Sequence, residues 1–277
     1  MLNPALNPVR RAAVLGSPIA HSLSPVLHSA AYAALGLERW EYGRHEVREH
    51  ELAAFVAGLG PEWAGLSLTM PLKRVALDVA TEIGETAAAI GAANTLVLRD
   101  GTRRAENTDA PGMADALREA GVTKPERVLL LGAGGTAQAA IAALRDLTPA
   151  PVRVAVREPS RSGAVHETAR RLGVPLEIHP LAEAGALIAG ADLVISTLPK
   201  GVADDLGRAD WAPRSVLFDV VYDPWPTALA AGAAAAGCRI VSGLDLLLHQ
   251  ACHQVTLMTG QPAPVEVMRA ALDAARA

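Results

Sequence analysis

The chain has 277 residues, 51% of them hydrophobic and 19% charged, with a formal net charge of −4. That balance is ordinary for a folded globular protein and, with no dense Lys/Arg stripe, argues against a nucleic-acid partner. No apolar run reaches the length needed to cross a bilayer, so no membrane partner is expected. Residues 1–11 lack the charged-then-apolar order of a secretion signal, and the two cysteines, Cys238 and Cys252, fit a reducing cytoplasm.

The length allows two modest domains. Aromatic residues make up only 3% of the chain, so Ala, Val and Leu must fill the core. Ala12 to Gly16 reads as a buried strand. Ser24 and Pro25 then start a helix, Ser24 as N-cap and Pro25 in the first turn, and Gly36 stops it. Strands follow over Glu41 to Val47 and Ala64 to Thr69. Pro71 opens a helix to about Ala80. Asp100-Gly101 marks a two-residue hairpin turn, and pairing outward from it sets Asn94 opposite Asn107, with Asp109 just beyond at the same open end.

From Arg127 the rhythm changes. Strands near Val128–Leu131, Val152–Val156, Leu193–Ser196, Val216–Val220 and Arg239–Val241 alternate with alanine-rich helical segments, the pattern of a parallel sheet covered on both faces. A last helical region runs to the C-terminus. The expected fold is α/β with two domains, residues 1–109 completed by 244–277, and 110–243 as a Rossmann-type dinucleotide-binding domain.

The segment from Val128 through Gly132, Ala133, Gly134, Gly135, Thr136 and Ala137 carries the nucleotide signal. An apolar strand runs into glycines and then into a helix. The first glycine permits the tight turn, the second lets the backbone approach a pyrophosphate, and Ala137 fills the small position where helix meets strand. The helix N-terminus offers free amides to the phosphates. The next strand ends at Val156-Arg157, where an arginine suits the extra phosphate of NADP and an acidic residue would suit NAD. Arg157 and Arg161 favour NADP, while the adjacent Glu158 keeps NAD open.

Seven stretches, in order from about Gly16 to Gln261, resemble the shikimate dehydrogenase family. They are Gly16 to Pro25 (GSPIAHSLSP), Ser67 to Lys73 (SLTMPLK), Gly91 to Thr95 (GAANT), Asn107-Thr108-Asp109, Gly132 to Gly135 (GAGG), Asp219 to Thr227 (DVVYDPWPT) and Gly243 to Ala251 (GLDLLLHQA). The resemblance implies a substrate domain joined to a Rossmann domain with the active site in the cleft between them. It also implies NADP-dependent interconversion of 3-dehydroshikimate and shikimate in aromatic amino-acid biosynthesis. Ser22 and Ser24 would bind the substrate carboxylate. Thr69, Lys73, Asn94, Asp109 and Gln250 would surround the ring hydroxyls, with Tyr222 nearby, and Gly243 would join the cofactor site. Two departures stand out: Val156-Arg157-Glu158 replaces the family's common Asn-Arg-Thr, and Ala228 stands where proline is common.

Reducing a ketone places negative charge on its oxygen, which a positioned donor must neutralise. Lys73 is expected in the first turn of the helix after Pro71, where the dipole disfavours a cation; a local rule broken in this way points to function. An isolated lysine there would read as a solvated surface residue; with the ordered motifs of the resemblance, Lys73 is the expected acid–base group, with Asp109 orienting it and binding a hydroxyl. N-capping alone would explain Ser24, whereas Ser22 has no such structural reason. Gln250, in an apolar helical stretch, needs partners from substrate or backbone.

His249, Cys252 and His253 mimic a metal cluster, but no fourth ligand is evident and no metal is expected. His21 and His28 are assigned to packing or local hydrogen bonding. The Leu246–Leu248 run should be core, in a helix packing on the first domain. Alternatives are a quinate/shikimate dehydrogenase using NAD, an aminoshikimate dehydrogenase, and a sensor that binds shikimate without turnover. The partner is a small molecule, and the chain itself would be a monomer or a homodimer.

Overall fold

Alternation of strand and helix runs through the whole computed structural model, which describes residues 9–276. The chain divides into two units: described residues up to Thr108 with those from Leu248 onward, and Asp109–Leu247.

In the first unit the elements run β1 (Arg10–Gly16), α1 (Ser24–Ala34), β2 (Trp40–Glu46), α2 (Leu52–Ala57), β3 (Trp63–Leu68), α3 (Ala76–Val79), β4 (Glu82–Ile83), α4 (Glu85–Ile90), β5 (Thr95–Arg99) and β6 (Thr102–Glu106). The six strands form one mixed sheet in the order β2-β1-β3-β5-β6-β4. β1 lies parallel to β2 and β3, and β5 is antiparallel to both β3 and β6. Leu15, Leu66, Leu68, Leu72 and Leu96 make its buried core. The hairpin register is the expected one: Thr95 pairs Glu106 and Arg99 pairs Thr102. Asp100 and Gly101 both take positive φ (51° and 79°), the conformation a tight primed turn demands.

The second unit contains α5 (Asp109–Glu119), β7 (Val128–Leu131), α6 (Gly135–Leu144), β8 (Val152–Val156), α7 (Gly163–Leu172), β9 (Leu176–Pro180), α8 (Ala184–Ala189), β10 (Leu193–Ser196), β11 (Val216–Asp219), α9 (Ala228–Ala235) and β12 (Arg239–Ser242). All its strands are parallel, in the order β12-β11-β10-β7-β8-β9. Val128 and Leu130 enter one apolar cluster while Leu129 and Leu131 enter another. Period-two alternation therefore buries both faces, as a parallel sheet covered by helices requires. Two final helices, α10 (Gly243–Thr259) and α11 (Val265–Ala274), follow; α10 begins in the second unit, and α11 packs on α1 in the first.

Four expectations are corrected. After Pro71 the chain makes mostly three-residue turns, with Ala76 N reaching back to Leu72 O, and regular helix exists only over Ala76–Val79. The Lys73 carbonyl accepts the Ala93 amide at 2.7 Å instead of a helical partner, and Lys73 precedes α3 rather than sitting in its first turn. Ser24 is not an N-cap but the first residue of α1, whose cap position is Leu23. Instead Ser22 Oγ accepts the Ser24 amide at 3.3 Å, giving Ser22 the local role expected of Ser24. Leu246 packs against the core of the second unit rather than the first, because α10 starts beside β12. The edge strand β9 also goes unpredicted, as its sequence ends in proline and none of its residues is fully buried.

His28 is wholly buried in α1, stacked on Tyr42 at 3.9 Å between ring centroids. Burial pushes its imidazole down to about 3, against a weaker raising effect from its hydrogen bond to Gln254. The folded state thus keeps His28 neutral at pH values where the unfolded chain takes up a proton. The stability tied to neutral His28 is complete above pH 6.5 and is lost as pH falls from there toward 3. Between pH 7 and 5 this group should remove about 2 kcal/mol from the first unit. Urea unfolding followed by Trp40 and Trp63 fluorescence, with Trp211 and Trp225 replaced by Phe, should show that loss. His28→Phe should flatten it, and an equal acid slope in both proteins would contradict the assignment.

Candidate functional site

The carboxyl ends of β1 and β3 and the open end of the β5–β6 hairpin share one edge of the first sheet, because β5 runs antiparallel to β3. Backbone bonds stitch the loops there together: Ser17 N to Met70 O (3.0 Å), Thr69 N to Leu15 O (2.9 Å), Leu68 N to Asn94 O (2.7 Å) and Ala93 N to Lys73 O (2.7 Å). A Cβ on Gly16 would collide with Thr69 Cγ2 and the Met70 carbonyl, so the glycine lets the two loops meet. Ser22, Ser24, Thr69, Lys73 and Asn94 are thereby carried by adjoining loops of one unit. Ser24 and Asn94 are buried; Ser22, Thr69 and Lys73 are half-buried.

Asn94 is 2% exposed and its side chain is held on every side. Oδ1 accepts the Thr108 amide (2.8 Å) and the Thr95 hydroxyl (3.0 Å). Nδ2 donates to Thr108 Oγ1 at 2.9 Å and, more weakly, to Gln250 Oε1 at 3.4 Å. Gln250 thus reaches this edge from α10. Asp109, joined to Thr108 by a peptide bond, is the first residue of α5 and is counted with the second unit, as is Tyr222. Asp219, buried at the end of β11, accepts the Thr227 hydroxyl at 2.7 Å, and Thr227 caps α9. This bond closes the loop that carries Tyr222, and burial holds the Asp219 carboxyl above its usual range.

In the second unit the chain steps β7 to β8 to β9 one way across the sheet, then returns to β10 and continues the other way. The reversal leaves a crevice beyond the ends of β7 and β10, the place where open α/β sheets bind nucleotides. A cavity of about 320 Å³ lies there, lined by Gly132–Gly134 after β7, Val156, Arg157, Glu158 and Arg161 after β8, and Thr197–Pro199 after β10. Gly132 has φ +103°, and a Cβ there would lie 2.7 Å from Thr197 Oγ1. At Gly134 and Gly135 an added Cβ meets no protein atom. The protein's own packing does not call for glycine at these two positions, whereas a pyrophosphate against the backbone does.

Ala133 lines the cavity, Thr136 lies in the first turn of α6, and Ala137 is buried beneath that helix. Gly243 does not line it; a Cβ there would strike the Val220 carbonyl and crowd Tyr222, a packing reason for the glycine. Thr197, Leu198 and Pro199 are absent from the sequence-derived site. Their only signal is their place just after a strand, and the strand order that makes it meaningful is not written in the sequence. Arg161 is paired with Glu158 at 2.7 Å.

Family models match in three blocks. Residues 14–96 match a shikimate dehydrogenase substrate binding domain, 115–200 a shikimate/quinate 5-dehydrogenase, and 243–272 a shikimate 5′-dehydrogenase C-terminal domain. A shikimate dehydrogenase (NADP(+)) of Moorella thermoacetica is 37% identical over 266 residues, covering 92% of this chain and 90% of that one. The crystal structure of Mycobacterium tuberculosis shikimate dehydrogenase has a TM-score of 0.89 at 44% identity, covering 96% of this chain and 99% of its own. That of Thermus thermophilus shikimate 5-dehydrogenase, in complex with NADP(H) and shikimate, has a TM-score of 0.83 at 31% identity, covering 96% of this chain and 99% of its own. With such identities over nearly its whole length, the chain belongs to the shikimate dehydrogenase family.

Proposed function

We propose that this chain reversibly reduces 3-dehydroshikimate to shikimate with NADPH, a step of aromatic amino-acid biosynthesis, in the cytoplasm. The observation that carries the reading is the gathering of Ser22, Ser24, Thr69, Lys73, Asn94 and Gln250 on one edge of the first sheet, through backbone bonds between adjoining loops and the contact of Asn94 with Gln250. Two buried cysteines that form no disulfide agree with a reducing compartment.

NADPH, when bound, supplies the hydride that forms the new C–H bond. Gly132, Ala133 and Gly134 would hold its pyrophosphate with the N-terminus of α6, and Arg157 its 2′-phosphate. Ser22 and Ser24 would receive the substrate carboxylate by donating their hydroxyl protons. Thr69, Asn94 and Gln250 would orient ring hydroxyls. Lys73 Nζ gives its proton to the carbonyl oxygen during reduction and takes it from the hydroxyl during oxidation, with Asp109 as its orienting carboxylate. Amine and carboxylate together keep a proton available at the oxygen without a metal ion.

Lys73→Ala should lower turnover about 10²–10⁴-fold, the range for loss of a general acid, while leaving NADP⁺ binding intact by fluorescence titration. Near-wild-type turnover would remove Lys73 from this role. At the cofactor site, Glu158 pairs with Arg161 and puts a carboxylate beside Arg157, opposing a phosphate there. Glu158→Gln should therefore lower the KM for NADP⁺ about three- to tenfold and leave that for NAD⁺ nearly unchanged. A parallel change for both cofactors would show that Glu158 does not act on the 2′-phosphate.

A further inference from the structure

Gln254 lies one helical turn beyond Gln250 on α10, is 1% exposed, and touches no position assigned above except Asn94. Its side chain makes four hydrogen-bond contacts, and two groups of fixed chemistry decide how they run. The Asn94 backbone carbonyl can only accept, so the Gln254 atom 3.2 Å from it is the amide nitrogen. The other N–H of that nitrogen then points to Thr95 Oγ1 at 3.0 Å. Gln254 Oε1 is left to accept from Ser67 Oγ at 2.7 Å and from His28 Nε2 at 3.3 Å, and Ser67 Oγ in turn accepts from Tyr42 at 2.6 Å. His28 Nδ1 is buried with no partner among the described residues, which places the ring proton on Nε2 and agrees with this direction.

The consequence reaches Asn94. Thr95 Oγ1 receives the Gln254 N–H, so its own proton is directed to Asn94 Oδ1 at 3.0 Å. The Thr108 backbone amide, which can only donate, reaches the same oxygen at 2.8 Å. Both lone pairs of Oδ1 are then occupied. The Thr108 hydroxyl, 2.9 Å from Nδ2 and 3.1 Å from Oδ1, accepts from the nitrogen. Every donor from Tyr42 to Asn94 points the same way, and the Asn94 N–H not given to Thr108, now 3.4 Å from Gln250 Oε1, is the one a ring hydroxyl would take over.

We infer that Gln254 is a positioning residue for substrate: through Thr95 it fixes the Asn94 amide so that Asn94 offers a hydrogen-bond donor, and never an acceptor, to a ring hydroxyl. The inference rests on the proposed substrate role of Asn94. Loss of Gln254 frees the Thr95 hydroxyl to turn away, and Asn94 Oδ1 is then held by the Thr108 amide without Thr95, so the side chain is less firmly placed for substrate. The Asn94 carbonyl keeps the Leu68 amide as a partner, so the strand ladder does not depend on Gln254.

The test is a double-mutant cycle on the full chain with shikimate and NADP⁺. Gln254→Met keeps the length of the side chain without its polar atoms, and Thr95→Val removes only the hydroxyl. Each should raise the KM for shikimate about tenfold, the loss expected of one well-placed hydrogen bond, with the KM for NADP⁺ unchanged and kcat within about threefold. In an Asn94→Ala background the same changes should move the shikimate KM less than about twofold, because the group they orient is gone. A purely structural role would lower thermal stability without this selective shift. Equal effects in both backgrounds, or no effect on shikimate KM while Asn94→Ala raises it, would overturn the inference and leave Asn94 as a substrate group. An unchanged KM in Asn94→Ala itself would overturn the substrate reading and the inference with it. Should Gln254→Met not fold, Thr95→Val decides the same question.

Discussion

A buried carboxamide has two donors and an acceptor with two lone pairs, and none can be left dry without cost. At Asn94 that requirement shapes the edge of the first sheet. The acceptor is filled by the next residue on the strand and by the returning strand of the hairpin, and the donors by Thr108 and α10. The hairpin must close in one register for Thr108 to reach it, β5 must run antiparallel to β3 for Leu68 to bind the Asn94 carbonyl, and α10 must return to the first unit. One polar side chain therefore makes three separate parts of the chain mutually dependent. A network of this kind favours a single arrangement over stability as such, since every partly satisfied alternative carries a penalty.

The second unit solves the opposite problem. Its sheet is apolar on both faces, and its chemistry is confined to loops where the strands stop. Because the strand order reverses between β7 and β10, their connecting segments diverge and leave space no helix covers. Gly132 turns the chain into α6 where any side chain would strike Thr197, and Gly134 and Gly135 leave backbone bare toward that space. The charges lining this space stand in the loop after β8, two arginines and one glutamate together.

Much of this was legible in the sequence because it is local. Asp100-Gly101 fixed the hairpin register, and with it the pairing of Asn94 toward Asn107; the alternation of Val128–Leu131 gave a strand buried on both sides; the glycines after it gave the turn. What escaped is what depends on distant partners. Pro71 suggested a helix start, but the Lys73 carbonyl is taken by Ala93, twenty residues away, and the chain turns instead. Ser24 reads as a cap, yet it is the first residue of α1, and its own amide is bound by Ser22 Oγ. Thr197–Pro199 and Gln254 carry no motif; only the strand order and the α10 packing bring them to their sites.

In the proposed reading, a substrate edge and a nucleotide crevice in one chain serve a single redox reaction on shikimate. The most direct measurement is the initial rate of reduced-nicotinamide formation, by absorbance, for shikimate and for quinate, each with NADP⁺ and with NAD⁺. Shikimate with NADP⁺ should turn over rapidly, and the other three pairs much more slowly. Calorimetric binding of shikimate with no turnover on either cofactor would contradict that reading and identify a sensor, and preference for quinate with NAD⁺ would contradict the assigned substrate.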